Sequence, residues 1–380
     1  MMRNDWRKST VAELCDIVKG TAPIQKTAPG PYPLVTTGAE RRTANDYQLD
    51  CEAVCVPMIS STGHGHASLK RVHYQTGKFA LANLLTALLV RDKSQLSPRF
   101  LALYINYFKD RLLVPLMVGA ANMSLTPDRL ASVTVSFPPL AYQNRALSIM
   151  DDVEELRKLR AQADRRTADL IPALFYEMFG DPATNRKGWP ISRFRDVCVC
   201  RLGKMLDAKR QTGAHPKPYL RNANVQWGRF NLTEVLEMDF DPKDQVTFRL
   251  RAGDLLICEG GEVGRAAIWS DELRECYFQK ALHRARPDPA QAISQYLLYL
   301  LWSMARGQCL VDFTTEATIK HLTGVKLRSI PIMLPPLDLQ RQFAARVAHI
   351  RALETRQAES RRRLDDLFQS LLYRAFRGEL

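Results

Sequence analysis

The chain of 380 residues contains an internal duplication, and this duplication constrains its fold more than any other feature of the sequence. Residues 137–143, Phe-Pro-Pro-Leu-Ala-Tyr-Gln, recur as residues 334–340, Leu-Pro-Pro-Leu-Asp-Leu-Gln. The same offset continues without a gap as far as Phe179 and Phe376. The chain is therefore a tandem duplication, and this arrangement suits a target that itself has two parts.

Each half combines strand-like runs with helical stretches, which predicts mixed α+β domains. Short apolar runs beside Gly-rich turns predict strands at residues 53–59, 254–258 and 265–269. Helices are predicted at residues 98–117 and 291–307. An alternating strand then precedes each Pro-Pro pair, and the two prolines mark the start of a helix.

After each Pro-Pro pair, the apolar pattern changes to that of a long helix with one apolar stripe. The first stripe contains Ile149, Val153, Leu156, Ala163, Leu170 and Leu174, and the second contains Ile350, Leu353, Leu364, Leu367 and Leu371. Each helix is roughly 40 residues or about 60 Å long, and Pro172 should bend or end the first one. Because such a helix needs a partner, we predict a coiled coil of the two copies. Helices packed only on the globular domains are the alternative.

The charge of the chain favours a polyanionic partner. There are 54 Lys and Arg against 40 Asp and Glu, which gives a net charge of +14 and a pI near 9.5. Residues 1–139 and residues 181–336 each carry a net +6, whereas residues 140–180 carry −1 and residues 337–380 carry +3. The alternative is a basic but otherwise ordinary surface.

Two further features concern the compartment. The longest apolar run, residues 79–90, is too short to span a bilayer, and residues 1–10 lack the apolar segment of a signal peptide. The eight cysteines form no C-x-x-C pair, so neither a zinc ribbon nor a disulfide framework fits. We therefore expect a cytoplasmic protein with reduced thiols.

Motifs for catalysis are incomplete in this sequence. The Pro-Pro pairs resemble part of an amino-methyltransferase site, but Phe137 and Leu334 cannot hydrogen-bond the target amine as Asp, Asn or Ser would. The Gly-rich residues 260–264 lack the G-K-[ST] of a nucleotide loop, and His64 and His66 lack further metal ligands. We therefore predict no catalytic, cofactor-binding or metal-binding residue in this chain, although a catalytic triad dispersed along the sequence could not be detected in this way.

Side chains of the types that can contact DNA bases and phosphates occur in Gly-rich loops of both halves. The candidates in the first half are Thr36, Thr37, Arg41, Arg42, Ser60, Ser61, Thr62, His64 and His66. The candidates in the second half are Arg221, Asn222, Asn224, Gln226, Glu259, Glu262 and Arg265. Each of them could equally be an ordinary surface residue.

Taken in order, these features resemble the specificity subunit of a type I restriction-modification system over essentially the whole chain. The resemblance rests on the duplicated halves, on both Pro-Pro-Leu motifs with their Gln and long helix, and on the helix ends at residues 170–181 and 370–380. The second half adds Gly-Asp-Leu-Leu-Ile at residues 253–257 and Gly-Arg-Ala-Ala-Ile-Trp at residues 264–269. The first half departs from this pattern at residues 51–57 and 65–67.

The resemblance implies an α+β fold with two pseudo-repeated target recognition domains, separated by two long helices packed as an antiparallel coiled coil. The implied segments are recognition domains at residues 1–139 and 181–336, a central spacer helix at 140–180 and a C-terminal spacer helix at 337–380. Each domain would recognise one half of an asymmetric site in double-stranded DNA.

The resemblance also implies a non-catalytic subunit that recruits two modification (methyltransferase) subunits and two ATP-dependent restriction subunits. S-adenosylmethionine, ATP and Mg would then be bound by those partners and not by this chain. A DNA methyltransferase or nuclease with a dispersed active site, and a scaffold protein that binds no DNA, are the competing interpretations.

Overall fold

The chain forms two units in the computed structural model, Met1–Ala161 with Glu359–Leu380 and, separately, Gln162–Ala358. The structure describes residues 6–62, 66–120, 122–207, 211–314 and 321–380. The predicted boundaries of the recognition domains and spacer helices stay predictions, since the division into units falls inside both long helices.

The first unit is built on ten strands and four helices of the described residues. The strands are β1 (Arg7–Thr10), β2 (Cys15–Lys19), β3 (Tyr32–Val35), β4 (Arg42–Ala44), β5 (Leu49–Asp50), β6 (Ala53–Pro57), β7 (His73–Gln75), β8 (Lys78–Leu81), β9 (Leu85–Val90) and β10 (Thr134–Phe137). The helices are α1 (Val11–Leu14), α2 (Pro98–Leu112), α3 (Pro127–Ala131) and α4 (Leu140–Ala168), the last of which continues into the second unit.

The second unit follows with further strands and helices. Its strands are β11 (Ile191–Arg193), β12 (Cys198–Leu202), β13 (Pro216–Leu220), β14 (Val225–Gln226), β15 (Arg229–Phe230), β16 (Leu236–Asp239), β17 (Leu255–Cys258), β18 (Ala266–Ile268), β19 (Tyr277–Phe278), β20 (Leu282–Pro287) and β21 (Pro331–Met333). Its helices are α5 (Leu170–Phe179), α6 (Phe194–Val197), α7 (Pro242–Phe248), α8 (Ser294–Arg306), α9 (Gly324–Ser329) and α10 (Leu337–Ala375), the last of which ends in the first unit.

The two units repeat the same strand order. An antiparallel sheet β2-β9-β6-β7 in the first unit corresponds to β12-β20-β17-β18 in the second. A smaller sheet contains the parallel pair β3-β8 in the first unit and the parallel pair β13-β19 in the second. A two-stranded ribbon precedes each long helix, β1-β10 and β11-β21. The duplication predicted from the sequence is therefore confirmed at the level of topology, together with the α+β fold class.

Local signals place the predicted helices with small shifts at their ends. In α2, the Ser97 hydroxyl accepts a hydrogen bond from the Phe100 amide, and Pro98 occupies the first helical position. This helix ends at Leu112, and Pro115 lies in a short 3₁₀ turn. Pro172 ends α4 as predicted, because the helix stops at Ala168, the residue whose carbonyl a proline four positions later cannot bond.

Glutamines explain why the Pro-Pro-Leu motif recurs. The Gln143 side chain is fully buried, and its Nε2 donates to the carbonyls of Gln95 and Pro138, each at 2.8 Å. Its Oε1 accepts from the Ser97 amide at 2.9 Å. This single amide therefore ties the start of α4 to the start of α2.

Gln340 repeats the same arrangement in the second unit. Its buried Nε2 donates to the carbonyls of Gln291 and Pro335 at 3.0 and 2.9 Å, and its Oε1 accepts from the Ile293 amide at 3.2 Å. From the sequence, only the two prolines were expected to mark the start of the helix. That the glutamine three residues after Leu joins the helix to the domain by hydrogen bonds is a finding of the structure.

Within the first unit, the segments of the two long helices run antiparallel. The Tyr142 hydroxyl donates to the Ala375 carbonyl at 3.1 Å, and further along α4 the Arg157 guanidinium pairs with Asp365 at 2.9 Å. Phe376, at the end of the chain, packs into the aromatic cluster of α2. The last residues of the chain therefore belong to the core of the first unit.

Within the second unit, the helix segments are also antiparallel, with a polar contact between them. Gln357 Nε2 donates to Thr167 Oγ1 at 2.9 Å, and both side chains are buried. Closer to the domain, the rings of Phe175 and Phe343 lie 5.8 Å apart. The predicted pairing of the duplicated helices is thus present in each unit.

The predicted apolar stripe is wrong at four leucines. Leu156, Leu170, Leu353 and Leu367 are exposed by 42–49%. The buried face lies elsewhere because each helix also packs against its globular domain, as Met150 does in the core of the first unit. A period of three and four residues could not distinguish these two neighbouring faces.

Replacement of Gln143 by methionine tests the role of the buried amide. Methionine fills a similar volume but leaves two carbonyls and one amide without their partner, so we expect the free energy of unfolding to fall by about 2–4 kcal/mol. Gln162→Met, at an exposed position of the same helix, should change it by less than about 0.5 kcal/mol. Urea unfolding followed by circular dichroism provides the comparison, and equal stability of the two variants would contradict it.

Candidate nucleic-acid interface

Two loops of the first unit carry the candidate residues of the first half, and Arg41 anchors one of them. Arg41 Nε donates to Gln75 Oε1 at 2.8 Å, and its NH1 donates to His73 Nδ1 at 3.1 Å. Both partners lie on β7, so the guanidinium holds the β3–β4 loop against the four-stranded sheet. The Arg41 side chain is therefore fixed by contacts within the unit.

Hydroxyl groups hold the β6–β7 loop in shape. Ser60 Oγ and Thr62 Oγ1 both donate to the His66 carbonyl, at 2.7 and 3.0 Å. The hydroxyls of Ser61 and Ser68 lie 2.7 Å apart. These three residues, predicted from the sequence to contact DNA, therefore also hold the shape of their own loop. The fourth candidate, His64, lies outside the described residues.

The remaining candidates of the first unit differ in exposure. Thr36 is buried, and its hydroxyl accepts from the Gly38 amide at 3.3 Å, while Thr37 is half-buried. Arg42 on β4 and His66 are exposed. These two side chains are the more accessible to a ligand.

Burial changes the acidity of His73, which the sequence did not single out as a structural residue. Its burial, and then the positive charge of Arg41, lowers the pKa of His73 to about 4. The imidazole is therefore neutral at pH 7 and can accept the hydrogen bond from Arg41.

Three loops of the second unit converge on one surface. Asn222 Nδ2 donates to the Gly260 carbonyl at 2.9 Å, and Arg265 NH2 donates to the Asn222 carbonyl at 3.1 Å. Trp227 Nε1 donates to Glu262 Oε1 at 2.6 Å. These bonds join the segment after β13, the β14–β15 turn and the β17–β18 loop.

The other candidates of the second unit serve the loops themselves. Asn224 is buried, and its amide donates to the carbonyls of Asn231 and Glu234 at 2.9 and 2.8 Å. Arg221 pairs with the Glu234 carboxylate, and Gln226 Nε2 donates to the Ala223 carbonyl at 3.3 Å. Asn224 therefore lies inside the loop framework.

Two backbone contacts locate Glu259 at the base of its loop. Its amide donates to the Ala281 carbonyl at 2.9 Å, and its carbonyl accepts from the Leu322 amide at 2.6 Å.

Trp227 is the residue of this surface that sequence reasoning missed. A tryptophan next to a glycine, between two short segments that each pair a polar with an apolar residue, was the available signal.

Neither a metal centre nor a disulfide is formed by the part of the chain that the structure describes. No group of three His, Cys, Asp or Glu side chains there could hold a metal ion. The eight cysteines are free thiols, and burial raises the pKa of Cys15 and Cys55 to about 12. Within the same residues, no helix is both long and apolar enough to cross a membrane.

The fold defines a protein with two similar α+β units and paired helices, and comparison with known proteins assigns the family. The family profile for the type I restriction modification DNA specificity domain matches residues 3–164 and 186–359. The chain belongs to this family. The two matched segments correspond to the two halves of the duplication.

Known relatives agree with this assignment. A putative type I restriction enzyme specificity subunit of Haemophilus influenzae is 22% identical over 292 residues, and the EcoKI specificity subunit of Escherichia coli is 25% identical over 293 residues. The alignments cover 74% and 70% of this chain, and 71% and 61% of those proteins. The chain thus spans less than two thirds of the second relative.

Solved structures share the fold over nearly the full length. A chain from a structural study of the assembly and conformational transition of the type I restriction-modification system superposes with a TM-score of 0.66, at 20% identity and full coverage of both chains. The type I restriction-modification S subunit from M. genitalium gives a TM-score of 0.58 at 14% identity, covering 98% of this chain and 96% of that one. At these identities the similarity establishes the fold alone.

The low pKa of His73 predicts how the stability of the first unit depends on pH. An unfolded histidine titrates near 6.5, so as the pH falls from about 6.5 to about 4 the unfolded state gains a proton that the folded state does not. Stability from His73 is therefore present above this window and is lost as the pH falls through it. In His73→Gln, the free energy of unfolding should depend less steeply on pH between these values. Identical slopes for both proteins would contradict the prediction.

Proposed function

We propose that this chain is the DNA-recognition subunit of a type I restriction-modification complex, in which each half recognises one part of a bipartite, asymmetric DNA site. One observation supports this proposal most: the two units share the same strand order, but the equivalent loops of the two units carry different side chains. The β6–β7 loop presents hydroxyl and imidazole groups, whereas the equivalent β17–β18 loop presents Glu262 and Arg265. Different donors and acceptors on one framework suit two different base sequences.

The distribution of charge supports DNA as the ligand. Residues 1–139 and residues 181–336 each carry a net +6. Basic side chains on the recognition domains would neutralise phosphates and orient each domain on the duplex. The loops would then supply the contacts to base edges.

The long helices are proposed to act as a spacer that fixes the gap between the two half-sites. The division between the units falls after Ala161 in one helix and after Ala358 in the other. A helix adds about 1.5 Å per residue, so helix length translates directly into the number of unread base pairs. Antiparallel pairing, seen in each unit, would keep this spacer rigid.

Exposed leucines support the recruitment of partner subunits by the helices. Leu156 and Leu353 are equivalent under the duplication and are exposed by 49% and 42%. Leu170 and Leu367 are likewise equivalent, and each is exposed by 44%. Large apolar side chains at matching exposed positions suit two copies of one partner protein.

We assign these partners as two modification subunits, which methylate adenine with S-adenosylmethionine, together with two restriction subunits that use ATP and Mg. The present chain would contribute recognition and assembly, and no catalytic group of its own. Purified alone, it should neither methylate nor cleave DNA.

Lengthening both helices tests the proposed function. Insertion of one heptad after Ala161 and one after Ala358 adds about 10 Å, or about three base pairs, while the loops stay unchanged. We expect methylome sequencing of cells that also carry the partner subunits to show both half-sites unaltered and a longer gap. Insertion into one helix only, as the control, should abolish methylation because the helices would no longer pair in register. A double insertion that alters the recognised bases, or that leaves the gap unchanged, would refute the proposal.

A further inference from the structure

Glu262 is exposed, whereas the other candidates of the second unit are half-buried or buried, and its carboxylate has a defined geometry. Its side chain is 57% exposed, yet Trp227 Nε1 donates to Oε1 at 2.6 Å. Arg265 NH1 lies 3.8 Å from Oε2. The carboxylate is therefore held in place at the surface where three loops meet.

Packing around Trp227 fixes the group that holds the carboxylate. Trp227 lines a cavity together with Trp302, Arg306 and Leu310. The Arg306 guanidinium lies 4.7 Å from the centre of the Trp302 ring and lines the same cavity. Because the half-buried indole also packs against the core of the second unit, its N–H stays directed at Glu262, and the carboxylate is positioned before any ligand arrives.

The chemistry of a carboxylate restricts what it can recognise. An ionised Glu accepts hydrogen bonds and donates none. In the major groove, the amino groups of adenine N6 and cytosine N4 are the donors, while guanine and thymine present only acceptors to such a group. A fixed carboxylate therefore favours adenine or cytosine and repels guanine and thymine on the strand that it faces.

The corresponding loop of the first unit lacks this group. Residues 58–72 contain no Asp or Glu, and Ser60, Ser61 and Thr62 carry hydroxyls, which both donate and accept. At this loop, a carboxylate is thus present in the second half of the chain and not in the first.

We propose that Glu262, positioned by Trp227, selects a base with an exocyclic amino group, adenine or cytosine, at one position of the second half-site. Glu262 is the specificity-determining residue, and Trp227 is a positioning residue that acts through it. The proposal rests on the proposed function, since it requires the second unit to recognise bases.

Two substitutions separate these roles. Glu262→Gln introduces a donor beside the acceptor, so the side chain can also face guanine or thymine, and the preference for an amino base should fall by about 10-fold or more. Trp227→Phe keeps the ring but removes the N–H, so binding should weaken while the same bases remain preferred. Glu237→Gln, at an exposed carboxylate of β16, is the control for loss of one negative charge.

The experiment uses the full chain in complex with its modification subunits. Methylome sequencing with the wild-type chain first defines the bipartite site, and competition binding then compares duplexes that carry each base pair at each position of the second half-site. We expect one position where the wild-type chain and Glu237→Gln prefer adenine or cytosine and Glu262→Gln does not. Thermal melting of each complex confirms that the variants are folded.

Several outcomes would overturn the inference. Unchanged base preferences in Glu262→Gln would do so, as would a change in the first half-site. Equal weakening toward every duplex by Glu262→Gln, with Glu237→Gln unaffected, would mean that the carboxylate supports the loop without selecting a base. A wild-type complex that methylates no bipartite site would instead refute the proposed function itself, so the two failures are distinguishable.

Discussion

The fold of both units is organised by the pairing of two long helices that are copies of one another. A helix as long as α10, which has 39 residues, gains most of its stability from a packed face and not from its own hydrogen bonds. In the first unit, α10 contacts Tyr142 and Arg157 of α4. In the second unit, Gln357 of α10 donates a hydrogen bond to Thr167 of α4. An antiparallel pair of equal copies brings the C-terminal residues of the chain back to the first unit, where Phe376 completes the aromatic core around α2.

The duplication also explains why both units have the same joint between the domain and its long helix. Gln143 and Gln340 make the same three hydrogen bonds at the same place, so the recurring Pro-Pro-Leu motif marks a joint between domain and helix in both halves. The frameworks are thereby kept alike, and the loops are free to differ. Trp227 and Glu262 are an example of such a difference between the loops. Trp227 lies in the turn between β14 and β15, a strand pair of the second unit, and it donates a hydrogen bond to Glu262.

Much of the fold could be predicted from the sequence, because repeats, prolines and apolar periods are local signals. The duplication, the end of α4 before Pro172 and the strands β6, β17 and β18 follow from them. The buried face of the long helices could not be predicted, since packing against the domains rotates it away from Leu156 and Leu353. The roles of individual loop residues were also hidden. Arg41 and Arg42 are both exposed, but Arg41 is fixed by His73 and Gln75, which lie more than thirty positions away in the sequence and give no local signal of this role.

Two similar domains, each paired with one part of the duplicated helices, are proposed to recognise one bipartite DNA site. The most direct test is methylome sequencing of a host without other adenine methyltransferases, in which this chain is expressed with its modification subunits. The account predicts methylated adenines in one asymmetric motif of two short specific parts with a fixed unspecified gap between them. Methylation in a continuous or palindromic motif, or at a gap of variable length, would contradict it.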